Sequence, residues 1–287
     1  MEILRFSLSG STACFRKPEV NTYVYFTYGN IHKIALLGMF GAILGYDGHN
    51  QMKGYGKERR QGKLSEGFPD FYERLKDLHI SILPVYPHGL IPKKAQSFNN
   101  SVGYASREQG GNLIVKEQWL ENPSWEIAVL IDSPEAETLK SAICESRCVY
   151  YPYLGKNDHM ADIKDVRLEE VNEVEFSQGQ LDCLAPEEGI RTVTVDLDDL
   201  EDLLEEQWEE FQETNPKLLE DLDHDEWLND HMKNIGNFRY KEELPYLIDP
   251  YTNNYHLRTF LYTNYYVEMM DKQPVYQLSD GKKIVFY

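Results

Sequence analysis

Residues 22–45 read TYVYFTYGNIHKIALLGMFGAILG, and the order of the two halves of this stretch decides how the chain can fold. Tyr23-Val24-Tyr25-Phe26 has the alternation of a strand, and Tyr28-Gly29-Asn30 turns the chain. Ile31–Leu44 is then apolar on nearly every side, which marks a helix buried all round. Asn30 is placed to cap its first turn through its side-chain oxygen, and Gly45 to end it. At 14 residues the helix is too short for a bilayer, which takes roughly 20. Gly38 and Gly41 each cost about 1 kcal/mol relative to alanine in a helix interior. A helix that carries both needs its backbone close to a sheet or another backbone, so the segment is read as the central helix of a sheet-based domain.

Outward from this helix, Ile3–Ser9 alternates as a first strand, and Gly10–Asn21 is a polar link containing Phe15-Arg16-Lys17-Pro18. Tyr46–Gly67 is a basic loop with Lys53, Lys57, Arg59, Arg60 and Lys63. Phe71–Leu78 reads as a short helix and His79–Tyr86 as a strand. Pro87–Gly111 is rich in turn formers and carries Lys93, Lys94, Phe98, Tyr104 and Arg107. A loop of that length inside a compact domain is uncommon, and a projecting hairpin reconciles its length with its aromatic content. Lys116–Leu120 reads as one helical turn. Trp125–Ile131 is a buried strand, and Ser133-Pro134-Glu135 opens a helix to about Ser146, with a capping serine and proline at the first position. Val149–Tyr151 reads as a further short strand. The order fits an α+β, ferredoxin-like (RRM-like) domain over residues 1–165 with extra pieces inserted. Residues 166–287 form a smaller β-rich part, with strands over Val166–Phe176, Thr192–Leu197, Thr259–Glu268, Pro274–Leu278 and Lys282–Tyr287. Asp280-Gly281 turns a hairpin between the last two. An acidic helical insertion occupies about residues 196–230.

The net charge of −19 is unevenly spread. Residues 1–165 carry 19 basic and 19 acidic side chains, residues 166–287 carry 10 and 29, and residues 12–116 carry 14 and 8. A basic amino-terminal part beside an acidic appendage fits a polyanion-binding face better than a uniformly acidic enzyme. Twenty tyrosines add amphipathic rings suited to stacking on bases. The amino terminus lacks a signal-peptide pattern, and four cysteines (Cys14, Cys144, Cys148, Cys183) suit reduced thiols, so a cytoplasmic protein without membrane association is expected.

Motifs exclude several chemistries. GMFGAILG lies within a helix and lacks the lysine and hydroxyl of a P-loop, and neither H-E-x-x-H nor G-x-S-x-G occurs. Cys144, Cys148 and His159 lack a second ligand pair for zinc, and the His224-Asp225 pair supplies too few ligands for a metal phosphohydrolase, so no metal or cofactor is expected. Tyr151-Pro152-Tyr153-Leu154-Gly155-Lys156-Asn157-Asp158-His159-Met160-Ala161 is a tyrosine-flanked turn able to hold a phosphate or a base, or simply to join two domains.

The link with Gly10 and Phe15-Arg16-Lys17-Pro18, the IALLGMFGAILG helix and the YLGKNDHMADI turn, in that order, resemble the Cas-five family of type I CRISPR Cascade subunits, with the type I-B branch most similar. The resemblance covers about residues 1–165 and the closing strands. It implies a ferredoxin-like RAMP domain with a projecting thumb at about 87–111. It further implies antiviral defence through a non-catalytic subunit that caps the 5′ handle of crRNA. The implied partners are crRNA, the Cas-seven backbone and the Cas-eight large subunit, with target DNA met through the complex. Arg16, Lys17, Arg59, Arg60, Lys93, Lys94, Arg107 and Lys156 are the RNA-binding candidates. One branch (type I-C) cleaves precursor crRNA with tyrosine, lysine and histidine side chains. A metal-independent endoribonuclease is therefore the alternative, with Tyr46, His49, His88, Lys116 and His159 available, although their spacing assembles no set.

Residues 196–230 hold sixteen acids and one base, Lys217, with an apolar stripe that includes Leu200, Leu203, Leu204 and Trp208, which marks a packed helical piece more than a tail. It is read as a docking surface for a basic partner or a shield against stray nucleic acid. Deleting 196–230 is expected to weaken partner retention or to raise nucleic-acid carry-over in pull-downs. Intact assembly with unchanged RNA retention would exclude both roles.

Overall fold

The computed structural model describes residues 1–19, 23–52, 67–101, 103, 107–109, 111–193 and 235–287, with isolated positions within 204–232. The chain enters through β1 (Glu2–Ser9) and the short β2 (Thr12–Ala13). Helices α1 (Lys33–Leu44) and α2 (Asp70–Leu75) precede β3 (Ile80–Pro84). A hairpin of β4 (Lys93–Asn99) and β5 (Ile114–Glu121) follows, then β6 (Ser124–Leu130), α3 (Pro134–Cys144) and β7 (Asp162–Glu170). The remaining named elements are largely strands: β8 (Asn172–Val174), β9 (Gln178–Gly179), β10 (Ala185–Pro186), β11 (Ile190–Val193), β12 (Arg239–Ile248), β13 (Tyr255–Thr263), β14 (Tyr266–Met269), β15 (Val275–Gln277) and β16 (Lys283–Ile284). The architecture is mixed α+β with antiparallel sheets.

The central sheet has the order β3-β6-β1-β7 with every pairing antiparallel. Alternation along β1 sends Leu4, Phe6 and Leu8 into the core shared with α1, and Ile3 into a second core shared with Val285 and Phe286. Helices therefore cover one face and the closing strands the other. The hairpin across Asp280-Gly281 is present, with Tyr276 opposite Ile284 and Gln277 opposite Lys283. Tyr287 exchanges backbone hydrogen bonds with Ile80 (3.1 and 3.2 Å), so the end of the chain covers the β3 edge.

Helix α1 is buried as expected, but its cap differs. His32, not Asn30, accepts the Ala35 amide (3.2 Å). The Asn30 side chain is committed elsewhere: its oxygen accepts from Trp125 Nε1 (2.9 Å) and its amide donates to the Gly89 carbonyl (3.0 Å). The close approach that Gly41 permits is to α2, because a Cβ there would fall on the Phe71 side chain. Ser133 caps α3 through the Ala136 amide (3.2 Å), with Pro134 at the first position, as the sequence predicts.

Three expected elements are replaced. Tyr23–Phe26 is not a strand but carries only an isolated bridge from Tyr25 to Glu117 of β5. Lys116–Leu120 is not a helical turn but part of β5, paired with β4 from Ile114 opposite Asn99 to Leu120 opposite Lys93. Val149–Tyr151 is not a strand. The Val149 and Tyr150 amides donate to Ile43 and Ala42 (2.9 and 3.1 Å), satisfying last-turn carbonyls of α1. Strand β12, the longest of those described, has no counterpart among the strands expected from sequence. The four cysteines are free, Cys14 and Cys183 buried and Cys144 and Cys148 exposed. Among the described residues no helix is long and apolar enough to cross a membrane.

Arg5, with no exposed surface, projects from the middle of β1 to Glu126 (2.8 Å), Glu169 (3.2 Å) and Asp280 (2.6 Å). Burial alone would raise the Asp280 carboxyl, but the Arg5 hydrogen bond and the Lys282 and Arg5 charges pull it down to about 2. Glu126 and Glu169 are likewise held below the usual range, burial being outweighed by Arg5 and Lys282 for the first and by Arg167 and Ser279 for the second. Arg5→Met is expected to cost up to about 3 kcal/mol at pH 7, because it removes the buried cation shared by three carboxylates and leaves them only Arg167 and Lys282. Depressed carboxylates stabilise the fold above their unfolded values near 4 and lose that contribution as pH falls through the folded values. The difference between Arg5→Met and wild type in denaturant titrations should therefore shrink from pH 4 towards pH 2. A difference independent of pH would refute the assignment.

Candidate nucleic-acid interface

The link after β1 is held by three separate elements. Thr12 and Ala13 pair with Glu121 and Leu120 of β5. The Cys14 amide donates to the Leu154 carbonyl (3.1 Å), and the Lys17 amide to Phe26 (2.8 Å). The turn at 153–160 is closed by a bridge between Tyr153 and Met160, with the Leu154 amide on the His159 carbonyl (2.7 Å) and the His159 amide on Lys156 (3.0 Å). Leu154 is fully buried beneath it. Gly155 sits at φ 88°, and a Cβ there would overlap the Cys14 carbonyl, so link and turn meet backbone to backbone.

Beside this junction lies a cleft of about 860 Å³. Ile34, Ala35, Gly38, Met39 and Ala42 of α1 line its floor, Tyr46, Tyr150, Tyr153 and Tyr255 its walls, and Arg16 and Lys156 add cations. The Arg16 guanidinium lies 3.5 Å from the centre of the Tyr25 ring. His32, at the start of α1, is buried, and that burial lowers it to about 3. It is therefore neutral at physiological pH, and since Nδ1 accepts from Ala35 its proton is on Nε2. An apolar floor, aromatic walls and cations are the parts from which a single-strand nucleic-acid site is made.

Of the candidate cations, the fold brings Arg16 and Lys156 to the cleft. Both Glu117 carboxylate oxygens accept from Lys156 (2.8 and 2.9 Å), and Glu117 is 4% exposed. Lys17 lies 3.4 Å from Glu242 and 4.8 Å from the Tyr28 ring centre. Lys93 shares that neighbourhood: desolvation, with Lys17 adding, lowers its pKa against the opposite pull of Glu242. Lys94, next along β4 and on the other face, pairs with Glu121 at 3.2 Å. Arg107 is exposed between β4 and β5, away from the cleft lining, and Arg59 and Arg60 lie outside the described residues. Of the groups considered for RNA cleavage, Tyr46 and His49 line the cleft, whereas His88, Lys116 and His159 do not. His88 stacks on Phe238 (4.7 Å), and His159 is buried with Nδ1 2.6 Å from Thr12 Oγ1.

Three residues of the site are not singled out by the sequence. Glu117 and Glu242 enter it only as two acids among many, and His32 is overshadowed by Asn30 as a cap. The strand alternation of β5 and β12 is the available signal for both glutamates. Glu242 accepts the Gly29 amide at both oxygens (3.0 and 2.9 Å) and the Tyr240 hydroxyl (2.5 Å), tying β12 to the turn before α1.

No protein-family model matches the chain, and no curated protein sequence matches it. Solved structures of similar shape include a chain of a CRISPR RNA-guided surveillance complex, at 18% identity and TM-score 0.39, over 56% of this chain and 60% of that one. A CRISPR protein from Archaeoglobus fulgidus matches over 100% and 98% of the two chains, at 11% identity and TM-score 0.45. A chain of the type III-B Cmr-beta complex bound to cognate target RNA and AMPPnP matches over 93% and 86%, at 10% identity and TM-score 0.39. The chain is similar to CRISPR-associated proteins. Its match spans 60% and 57% of the lengths of the first two structures found, the second a Cas protein.

Gly155→Ala should cost at least about 2 kcal/mol, combining left-handed backbone strain with displacement of Cys14. Gly281→Ala has a similar φ of 82° with nothing within 4 Å. It should cost only about 1 kcal/mol. Equal decreases of Tm in the two variants would show that the contact between turn and link is unimportant.

Proposed function

We propose that the chain is a non-catalytic RNA-binding subunit of a CRISPR effector complex, type I-B-like, that holds the 5′ handle of crRNA. In this reading it contacts a Cas-seven backbone subunit and a Cas-eight large subunit, and meets target DNA through the complex. One observation carries the proposal: the three motifs behind the sequence resemblance line a single cleft, through Arg16 from the link, Gly38 from the helix, and Gly155 and Lys156 from the turn. Unpaired bases stack on aromatic rings and phosphates seek cations, and the cleft offers both. The order β1-α1-β3-β6-α3-β7, with the sheet arranged β3-β6-β1-β7, supports a ferredoxin-like domain beneath it.

A second reading, a metal-independent endoribonuclease, draws on Tyr46 and His49 in the same cleft. It needs a base, an acid and a cation around one 2′-hydroxyl. His32 borders the cleft but is held neutral, which removes it as an acid. Incubation of the full chain with repeat RNA in EDTA separates the two readings: intact RNA is expected, and specific cleavage would favour the enzyme.

Arg16→Glu with Lys17→Glu is expected to weaken single-stranded repeat RNA binding at least about tenfold. It should also flatten the log–log salt dependence by about 0.7 for each phosphate that the variant no longer neutralises. Filter binding across a salt series reads both quantities. Unchanged affinity in the folded double variant would overturn the proposal.

A further inference from the structure

Around the cleft and the hairpin beside it, three lysines pair with glutamates from another strand, and Lys156 also lies 3.7 Å from Asp158 of its own turn. Lys156 is on Glu117, Lys94 on Glu121 and Lys17 on Glu242. Two of these carboxylates cannot swing away. Glu117 is fixed by Trp119 Nε1 (2.9 Å) and by burial, and Glu242 by the Gly29 amide and the Tyr240 hydroxyl. Glu117 is also held below the usual carboxylate range, because hydrogen bonds from Lys156 and Trp119 outweigh its burial. Arg16, by contrast, has no carboxylate within 4 Å among the described residues and lies on Tyr25.

We infer that Glu117, Glu121 and Glu242 are specificity-determining counter-ions that suppress attachment of polyanions offering phosphates alone. The inference rests on the RNA-binding reading above. A lysine already neutralised by a fixed carboxylate has little condensed anion to exchange, so an arriving phosphate gains less from it. Within the cleft lining two kinds of contact remain without a carboxylate partner: the Arg16 guanidinium, and ring stacking against the tyrosine walls. Only a ligand with unpaired bases uses the second. A duplex keeps its bases stacked inside, and heparin has none. The net charge of −19 acts in the same direction by repelling polyanions from the chain as a whole. The carboxylates thus convert a generic cationic surface into one that rewards exposed bases.

Three probes test this on the full chain: single-stranded repeat RNA, duplex RNA of the same sequence, and heparin. Glu121→Gln and Glu242→Gln are each expected to raise duplex and heparin affinity about two- to fivefold, the range of an exposed ion pair. The duplex salt slope should steepen by up to about 0.9. The preference for single-stranded RNA should narrow by the same factor. Glu121 belongs to a pair exposed at both ends, so its variant decides the question if removal of the Gly29 anchor unfolds Glu242→Gln. Ion pairs with a purely structural role would change Tm and leave both slopes and affinities alone, which would overturn the inference. Failure of the wild-type chain to bind single-stranded RNA would instead sink the RNA-binding reading, while the heparin arm would still measure the counter-ion effect.

Discussion

A guanidinium with no exposed surface sits in the central sheet, and much of the architecture follows from having to satisfy it. Desolvating a cation costs several kcal/mol, which only well-placed anions offset. Arg5 takes them from β6, β7 and the Asp280 turn, while Arg167 and Lys282 bind the same carboxylates from outside. The network joins residues up to 275 positions apart in sequence. It fixes the closing hairpin to one face of the sheet, and with the hairpin come Val285, Phe286 and the Tyr287 backbone that covers the β3 edge. Arg5 Nε stays buried without a partner, so the satisfaction is incomplete, and breaking any one arm leaves charge inside the protein.

With one face closed, the opposite face must take the helices. Phe40 meets Phe6 edge to face at 6.3 Å, and Gly41 admits Phe71 of α2. The Val149 and Tyr150 amides cap the carbonyls of α1. What remains of the helix forms the floor of the cleft. An all-round apolar helix is therefore compatible with a binding role, because one of its sides faces aromatic rings across a gap instead of a packed neighbour. The same contacts that bury α1 hold Tyr150 at the cleft wall, so the rigidity of the floor and the placement of the wall have a common origin.

Local signals are legible where short-range chemistry sets the structure. Ser133-Pro134 marks the start of α3, Gly45 the end of α1, and Asp280-Gly281 the closing hairpin. Long-range competition hides the rest. Asn30 has the chemistry of a cap, yet the Trp125 indole and the Gly89 carbonyl claim its side chain from distant sequence. Lys116–Leu120 has helical spacing in isolation, but cross-strand pairing with β4 overrides it. Strand β12 is masked by charge and by Pro245, which the structure accommodates where the register with β13 shifts between Pro245 and Leu247. The candidate cations are visible as residue types. Their glutamate partners are not, because a carboxylate on a half-buried strand looks in sequence like any solvated acid.

These glutamate partners change what the charge count means. The excess of six basic residues over 12–116 includes Lys17, neutralised by Glu242, and Lys94, neutralised by Glu121. The potential at the cleft is therefore weaker than composition suggests, and long-range steering of a polyanion towards a chain of net charge −19 is poor. A site of this kind cannot rely on fast electrostatic capture. On the RNA-binding reading, affinity comes from short-range contacts, made after encounter, between rings, the Arg16 guanidinium and an unstacked strand. Such contacts distinguish ligands by shape and exposed bases, where a bare cationic surface would distinguish them only by charge density.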